Sequence, residues 1–405
     1  MEKILDINKI FNYKKVTYRE FCDKFAVLDI SNKTAEYVIK NNVRDFIKDN
    51  SKDYRLESID EFYKNFYEMV VTNREETLNV WFEKYLEIGD IKKYFSMDSG
   101  NLLNGKIING ISKSRYGRLL KNINFDKMYR TKKLYKEDKE FVIGMMEVLF
   151  KDFKIRNSLV GPAFFKGVLD KDIKGFWNAF MMTCSTPSVF NPYTFKFILE
   201  NFYNGKKLFC PVIGWNSYQL AFHNTTWEEF VGTDVIPEAV NNGKVLYDYY
   251  LKTIDNQFFD FKKQSVKNYL CPSEKFDTSK YKEYFDGVLF SPPYYNLEIY
   301  DSENQSVDTF PKYEDWLEGY WETTVSKCYE MLKPGKTFGF LIRDYVDITM
   351  NEVNISYDMK KVAEKFFTLV DTYQVKWGAR KSSRTPKKMI SGNYENFYLY
   401  TKKNT

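Results

Sequence analysis

The chain has 405 residues, 18% of them aromatic, a formal net charge of +6 and a single histidine. The aromatic load excludes a disordered chain, and the small net charge excludes a global basic field, so any polyanion contact has to be local. The five cysteines, Cys22, Cys184, Cys210, Cys271 and Cys328, are scattered without metal-like spacing, which points to reduced thiols and no metal site. One histidine, His223, removes most Ser-His and Cys-His schemes, and the expectation for it is an exposed helix end. With no leader-like segment and no long apolar span, a soluble, cytoplasmic protein without a membrane partner is expected. The bias to Lys, Asn, Ile, Tyr and Phe fits an AT-rich genome.

The length predicts two or three domains. Residues 1–160 read as a charged helical domain with few glycines or prolines. Ile59 to Val70 and Phe141 to Phe150 repeat apolar residues at helical spacing, which a helical core explains. From Lys113 to Lys139 runs a basic stretch that includes Arg115, Arg118, Lys132 and Lys133, interleaved with Tyr116, Phe125, Tyr129 and Tyr135. Such a mixture suits a surface that tracks phosphates and stacks bases, and it also suits a plain solvated face.

Residues 161–405 change texture and alternate strands with helices, which predicts a parallel sheet in an α/β domain. Phe190-Asn191-Pro192 precedes a helix from Thr194 to Phe202. Lys207 to Trp215 is a strand running into a glycine turn, and Ser217 to Phe222 begins a helix. Phe230 to Asp234 is a second strand tipped by an acid, and Pro237 opens the next helix. Lys263 to Tyr269 predicts a third strand, followed by the turn Cys271 to Asp277. Asp286 to Phe290 is a buried strand stopped by Ser291-Pro292-Pro293-Tyr294-Tyr295. A long amphipathic helix is expected from Phe310 to Leu332, closed by Lys333-Pro334-Gly335, and then a strand from Thr337 to Tyr345. Phe366 to Lys376 and Tyr394 to Tyr400 predict a closing antiparallel pair. The loop between them carries Arg380, Lys381 and Arg384, which suit either a phosphate contact or a solvated hairpin.

Ser291-Pro292-Pro293-Tyr294 carries a chemical argument of its own. In an open α/β sheet, ligands bind at the carboxyl ends of the strands. An exocyclic amine on a base is a poor nucleophile because its lone pair is delocalised into the ring. Acceptors placed out of the ring plane favour a tetrahedral nitrogen, and the Ser291 hydroxyl with the Pro292 carbonyl would supply them on a backbone stiffened by Pro292 and Pro293. Tyr294 would stack on a base taken out of its helix, through its ring face rather than its hydroxyl.

This motif resembles the (Ser/Asp/Asn)-Pro-Pro-(Tyr/Phe) element of the S-adenosylmethionine-dependent DNA amino-methyltransferases, which act on adenine N6 or cytosine N4. The resemblance extends over about half of the chain, with cofactor motifs first and the target motif second. Phe190 and Pro192 match the Phe-x-Pro element beside the methionine end of the cofactor. Cys210-Pro211-Val212-Ile213-Gly214-Trp215-Asn216 is similar to Asp-Pro-x-x-Gly-x-Gly. Asp234 sits where an acid accepts the ribose hydroxyls, and the Pro272–Asp277 turn, with Glu274, where the adenine is met. The resemblance implies a Rossmann-like methyltransferase sheet, parallel with an antiparallel closing strand. It also implies S-adenosylmethionine as cofactor and DNA as partner, with RNA as the alternative, and makes the amino-terminal domain the reader of the substrate. Cys210 in place of the acid and Asn216 in place of the second glycine depart from the pattern. They leave open a non-catalytic nucleic-acid-binding or assembly protein on a decayed fold, besides an RNA or protein amino-group methyltransferase. Asn216 would keep the turn if it takes positive φ, which asparagine tolerates, yet its side chain would crowd the cofactor if it points that way.

Overall fold

The structure, a computed structural model, describes residues 85–86, 96–98, 102–104, 119–120, 123–124, 189–256, 264–297, 304–346, 352–376 and 394–403. The chain divides into two units, and all of these residues fall in the one formed by Glu76–Lys127 and Val189–Thr405. Two short strands come first, β1 (Ser96–Asp98) and β2 (Leu102–Asn104). Then follow α1 (Pro192–Phe202), β3 (Lys207–Cys210), α2 (Ser217–His223), β4 (Glu229–Asp234), α3 (Pro237–Asn256) and β5 (Ser265–Leu270). After a single turn of 3-10 helix at Ser273–Lys275 come β6 (Phe285–Phe290), the short helices α4 (Ser306–Thr309) and α5 (Tyr313–Trp316), α6 (Thr323–Met331) and β7 (Leu332–Ile342). A two-residue pair, β8 (Tyr345–Val346) with β9 (Glu352–Val353), precedes α7 (Ile355–Ala363), β10 (Thr368–Lys376) and β11 (Tyr394–Thr401).

The main sheet runs β1-β2-β10-β11-β7-β6-β3-β4-β5. β5, β4, β3, β6 and β7 run parallel to one another, while β11 is antiparallel to both β7 and β10. This is the expected Rossmann-like methyltransferase sheet, parallel with one strand reversed near its closing edge. The order also reverses between β3 and β6, which opens the crevice where such sheets hold ligands.

Local chemistry accounts for the central elements. Asn191 caps α1 by accepting from the Tyr193 amide at 3.0 Å, and Pro192 takes the first helical position, where a missing N–H costs nothing. β4 and β6 are buried at every position, as strands covered on both faces are. Each buried Phe, Leu or Val contributes about 1.5–3 kcal/mol. At the opposite end of β6 from the crevice, Asp286 accepts from the Lys206 and Lys207 amides at 3.0 and 3.1 Å and pairs with Lys333 Nζ at 2.7 Å. Burial opposes its ionisation, but these partners outweigh it and hold the carboxyl below its ordinary value.

Four expectations are corrected. Residues 96–98 and 102–104 fall in the stretch read as helical, but they are strands, and β2 extends the main sheet by pairing in parallel with β10. The helix expected from Phe310 begins at Tyr313 and contains six residues of π-helix, Leu317–Glu322, which turn Tyr320 and Trp321 into the interior. Lys333-Pro334-Gly335 does not close that helix. It belongs to β7, with Gly335 at φ 70 and a register shift opposite Phe285–Gly287.

His223, expected at an exposed helix end, is only 1% exposed. It stacks on Tyr250 at 4.3 Å and lies between Gln219 and Gln264. The Gln219 amide donates to Nε2, so the proton sits on Nδ1 and is donated to the Gln264 carbonyl oxygen. Burial drives its pKa down to about 3, against the bond from Gln264.

Candidate cofactor crevice and target loop

The turn after β3 has an almost complete set of partners. Thr233 Oγ1 donates to the Pro211 carbonyl, Ile213 N donates to Thr233 O at 2.9 Å, and Gly214 N donates to Asp234 Oδ2 at 2.8 Å. Asn124, from the earlier stretch, donates to the Trp215 carbonyl at 3.1 Å and accepts from Asn242. Gly214 has φ 57, and a Cβ built there meets nothing closer than the Tyr218 ring at 4.0 Å. The backbone is therefore open to a ligand on that side.

Asn216 adopts the left-handed conformation, φ 62 and ψ 15, directly before α2. Its side chain is fully buried, with Nδ2 donating to Ala239 O of α3 at 2.9 Å. The departure from glycine is thus accommodated twice: asparagine tolerates the positive φ, and its amide is turned towards α3. Cys210 is buried, its Sγ against the Val212 carbonyl at 3.1 Å, and burial pushes the thiol well up. It stands as a neutral group where the resembling motif has an acid.

Asp234 ends β4, 6% exposed, with Oδ2 on Gly214 N and Oδ1 on Ile236 N at 3.0 Å. Burial raises its pKa to about 6 against the pull of surrounding amides. The Val235 and Ile213 amides also pull on the carboxylate beside these two bonds. Past β5, Glu274 is 8% exposed and its Oε1 has no hydrogen-bond partner; burial raises its pKa. Tyr320, brought in by the π-helical stretch, is electrostatically close to Glu274 and Asp234, and its hydroxyl also lacks a geometric hydrogen bond. The Tyr320 hydroxyl has Ser273 beside it, whereas a buried acceptor such as Glu274 Oε1 is costly unless something else satisfies it. Sequence reading missed Tyr320, whose position looks like ordinary helix core. Phe190 is linked to this turn through Tyr218, whose ring lies 5.5 Å from its own, and Pro192 follows two residues on as the buried first residue of α1.

Ser291 leaves β6 half-buried and Pro292 is buried. Burial pushes the Tyr218 phenol well above its ordinary pKa, against a weaker pull from the Ser291 amide and hydroxyl. Tyr294 is 8% exposed rather than an open stacking platform: its hydroxyl donates to Glu395 Oε1 of β11 at 3.0 Å, and its ring meets Tyr345 edge-on at 6.1 Å. Glu395 is a second residue the sequence did not reveal. Beyond Tyr294 the chain turns sharply, Leu297 N to Tyr294 O at 2.7 Å, with Tyr295 at φ 34. Tyr295 is held by the Pro311 carbonyl and the rings of Tyr313 and Trp316. A positive φ on a bulky residue is a strained backbone that neighbouring contacts must maintain. Arg115, Arg118, Lys132, Lys133, Arg380, Lys381 and Arg384 lie outside the described residues. Among the described residues, no helix is long and apolar enough to cross a membrane.

No family model and no curated protein matches the chain. Among solved structures it is similar to the N-methyltransferase NodS of Bradyrhizobium japonicum with bound S-adenosylhomocysteine, at 14% identity, 53% of this chain, 86% of that one and TM-score 0.33. It is also similar to a geranyl diphosphate methyltransferase with sinefungin, at 9% identity, 52% and 77% coverage and TM-score 0.35. A protein of Thermus thermophilus, provisionally assigned as a DNA modification methylase, matches at 16% identity, 33% and 51% coverage and TM-score 0.25. The Rossmann-like fold is read from the chain's own strand order and direction, not from these distant likenesses.

Proposed function

We propose that the chain transfers a methyl group from S-adenosylmethionine to the exocyclic amine of a DNA base, cytosine N4 or adenine N6. The observation that carries the reading is the pairing of two features at one sheet edge. A backbone turn open at Gly214 and held by Asp234 follows β3, and Ser291-Pro292-Pro293-Tyr294 follows the neighbouring parallel strand β6.

The residues fit the cofactor. Asp234 would accept the ribose hydroxyls, and Glu274 would accept the adenine amine beside the Tyr320 hydroxyl. Gly214 would let the chain approach the methionine portion, flanked by Phe190, Pro192 and the turn from Cys210 and Pro211. The cofactor supplies an electrophilic methyl on a sulfonium, so the protein needs to align the acceptor more than to deprotonate it. Ser291 Oγ and the Pro292 carbonyl accept from the two amine N–H groups as the nitrogen becomes tetrahedral, and Pro293 fixes that carbonyl's direction. Tyr294 bounds the base. The proton lost after transfer leaves a nitrogen that is already strongly acidic and passes to solvent.

Residues 1–160, with Lys113 to Lys139, are the reader of the nucleic acid in this proposal, and the Arg380–Arg384 loop adds phosphate contacts. The inward turn of Asn216 favours a working cofactor turn over a decayed one. The test is mass spectrometry of DNA from cells with and without the chain. N4-methylcytosine or N6-methyladenine appearing with the wild type and not with Pro292→Ala supports the proposal. Calorimetry without a heat for S-adenosylmethionine, together with unmodified DNA, refutes it.

A further inference from the structure

Two prolines in a row make the target motif stiff. Their rings fix φ at Pro292 and Pro293, and each restricts the residue before it, Ser291 or Pro292, to extended backbone. That fixes the Pro292 carbonyl relative to its own segment. The segment is fixed relative to the sheet only if both of its ends are held. β6 holds the first end, since its last residue, Phe290, lies opposite Phe340 of β7 in parallel register. The other end needs a hold of its own, because just beyond it Tyr295 sits at φ 34, a conformation that neighbouring contacts must maintain.

Tyr345 supplies a hold on both sides of Tyr295. Its hydroxyl donates to Asn296 Oδ1 at 2.7 Å, and its ring meets that of Tyr294 at 6.1 Å. The side chain is buried, so it has little freedom to swing. It leaves the sheet at the same edge as the motif, just past Ile342 at the end of β7, and opens β8 opposite Val353. The residue before it, Asp344, accepts from the Ser356 amide at 2.9 Å and the Ser356 hydroxyl at 2.6 Å, which ties this stretch to α7. Two other holds, Tyr294 on Glu395 and Tyr295 on the Pro311 carbonyl, each fasten a single residue of the loop. Tyr345 bridges two.

We propose that Tyr345 is a positioning residue whose hydrogen bond to Asn296 anchors the far end of the Ser291-Pro292-Pro293 segment and so aims the Pro292 carbonyl at the target amine. This rests on the methyl-transfer reading. Tyr345 acts through the loop and not on the base or the cofactor, and no proton changes hands. A Phe in its place fills the same space and keeps the edge contact with Tyr294, but it releases Asn296 and with it one side of the strained residue.

The test uses the full chain, radiolabelled S-adenosylmethionine and plasmid DNA, both duplex and heat-denatured, in single turnover well below each variant's thermal midpoint. Cofactor and DNA affinities are measured alongside. Tyr345→Phe is expected to slow the saturating rate about tenfold, the upper end for one neutral hydrogen bond, with both affinities within about twofold of wild type. Asn296→Ala should slow transfer equally, and Tyr345→Phe should cost nothing further in that background, because the bond is already gone. Asn296→Asp keeps an acceptor for the Tyr345 hydroxyl, so it should restore the rate to within about threefold of wild type. Equal rates for wild type and Tyr345→Phe overturn the inference. So do additive losses in the double variant, an Asn296→Asp as slow as Asn296→Ala, or a loss of affinity that accounts for the slower rate. A wild type that transfers no methyl group overturns the functional reading and this inference with it.

Discussion

Asn216 offers the sharpest separation of backbone and side-chain effects. It occupies a left-handed conformation at φ 62, and its amide donates to Ala239 O at 2.9 Å. Asn216→Ala loses that hydrogen bond, about 0.5–1.5 kcal/mol, and keeps a Cβ in the left-handed region, which costs about 1–2 kcal/mol relative to glycine. Asn216→Gly loses the same bond without the conformational penalty, but glycine gives up roughly 0.5–1 kcal/mol more backbone entropy on folding. The lost bond and the removal of the unpartnered Oδ1 cancel between the two variants, so alanine should be less stable than glycine by about 1 kcal/mol. Urea unfolding measures that gap. Calorimetry with S-adenosylmethionine then tests the direction of the side chain. Because the amide is turned to α3, both variants should keep cofactor affinity within about twofold, apart from any loosening of the turn. A tenfold gain in Asn216→Gly would mean that asparagine crowds the crevice, and equal stabilities would mean that the turn is not held left-handed.

Other outcomes follow from the same geometry. His223 has a pKa lowered from 6.5 to about 3, so its contribution is intact above pH 6.5 and is lost on acidification, by up to about 1.4 kcal/mol per pH unit and about 5 in all; urea midpoints between pH 7 and 4 should fall less steeply in His223→Gln. Asp234 has the opposite sign: raised from 3.8 to about 6, it favours the folded chain at low pH and loses about 3 kcal/mol as pH rises through that window. Cofactor affinity should weaken below about pH 6 as Asp234 gains its proton and an acceptor is lost, and Asp234→Asn should flatten that pH profile in calorimetry. Tyr294→Phe removes the hydroxyl donated to Glu395, a charge-assisted bond of about 1.5–3 kcal/mol, so it should lower the thermal midpoint; an unchanged midpoint would restore the view that only the ring face matters. Asp286→Ala takes the acceptor from two amides while Lys333, 38% exposed, returns to solvent, and a loss of about 1–3 kcal/mol is expected, read as a lower urea midpoint.

What could be read from the sequence was whatever depends on neighbours in the chain. The glycine turn after β3, the acid ending β4 and the proline stop after β6 are each written in a few consecutive residues, and the sheet follows from their order. Residues joined across long separations were not legible. Glu395 meets Tyr294 from 101 positions away, and nothing around either predicts the other. His223 looks exposed at the end of α2 until Gln264, 41 positions on, arrives beside it. Tyr320 resembles any aromatic residue in a helix core, because a π-helical stretch changes its direction without a local signature strong enough to read. The strands at 96–104 are three residues each, too short for alternation to register.

The participation of the earlier stretch in the sheet has a practical consequence for dividing the protein. β2 pairs with β10 through Leu102 and Gln374, so on the ribosome the first strand is made long before its partner emerges. β10 is correspondingly a late-closing edge, and unpaired edges of this sort invite association between chains. A fragment beginning at Val189 would leave β10 without β2, the Trp215 carbonyl without Asn124 and the Tyr193 hydroxyl without the Tyr85 carbonyl. Cutting the chain where the strand–helix alternation starts would therefore yield an aggregating piece, while a soluble one has to retain the strands and the asparagine that come before it.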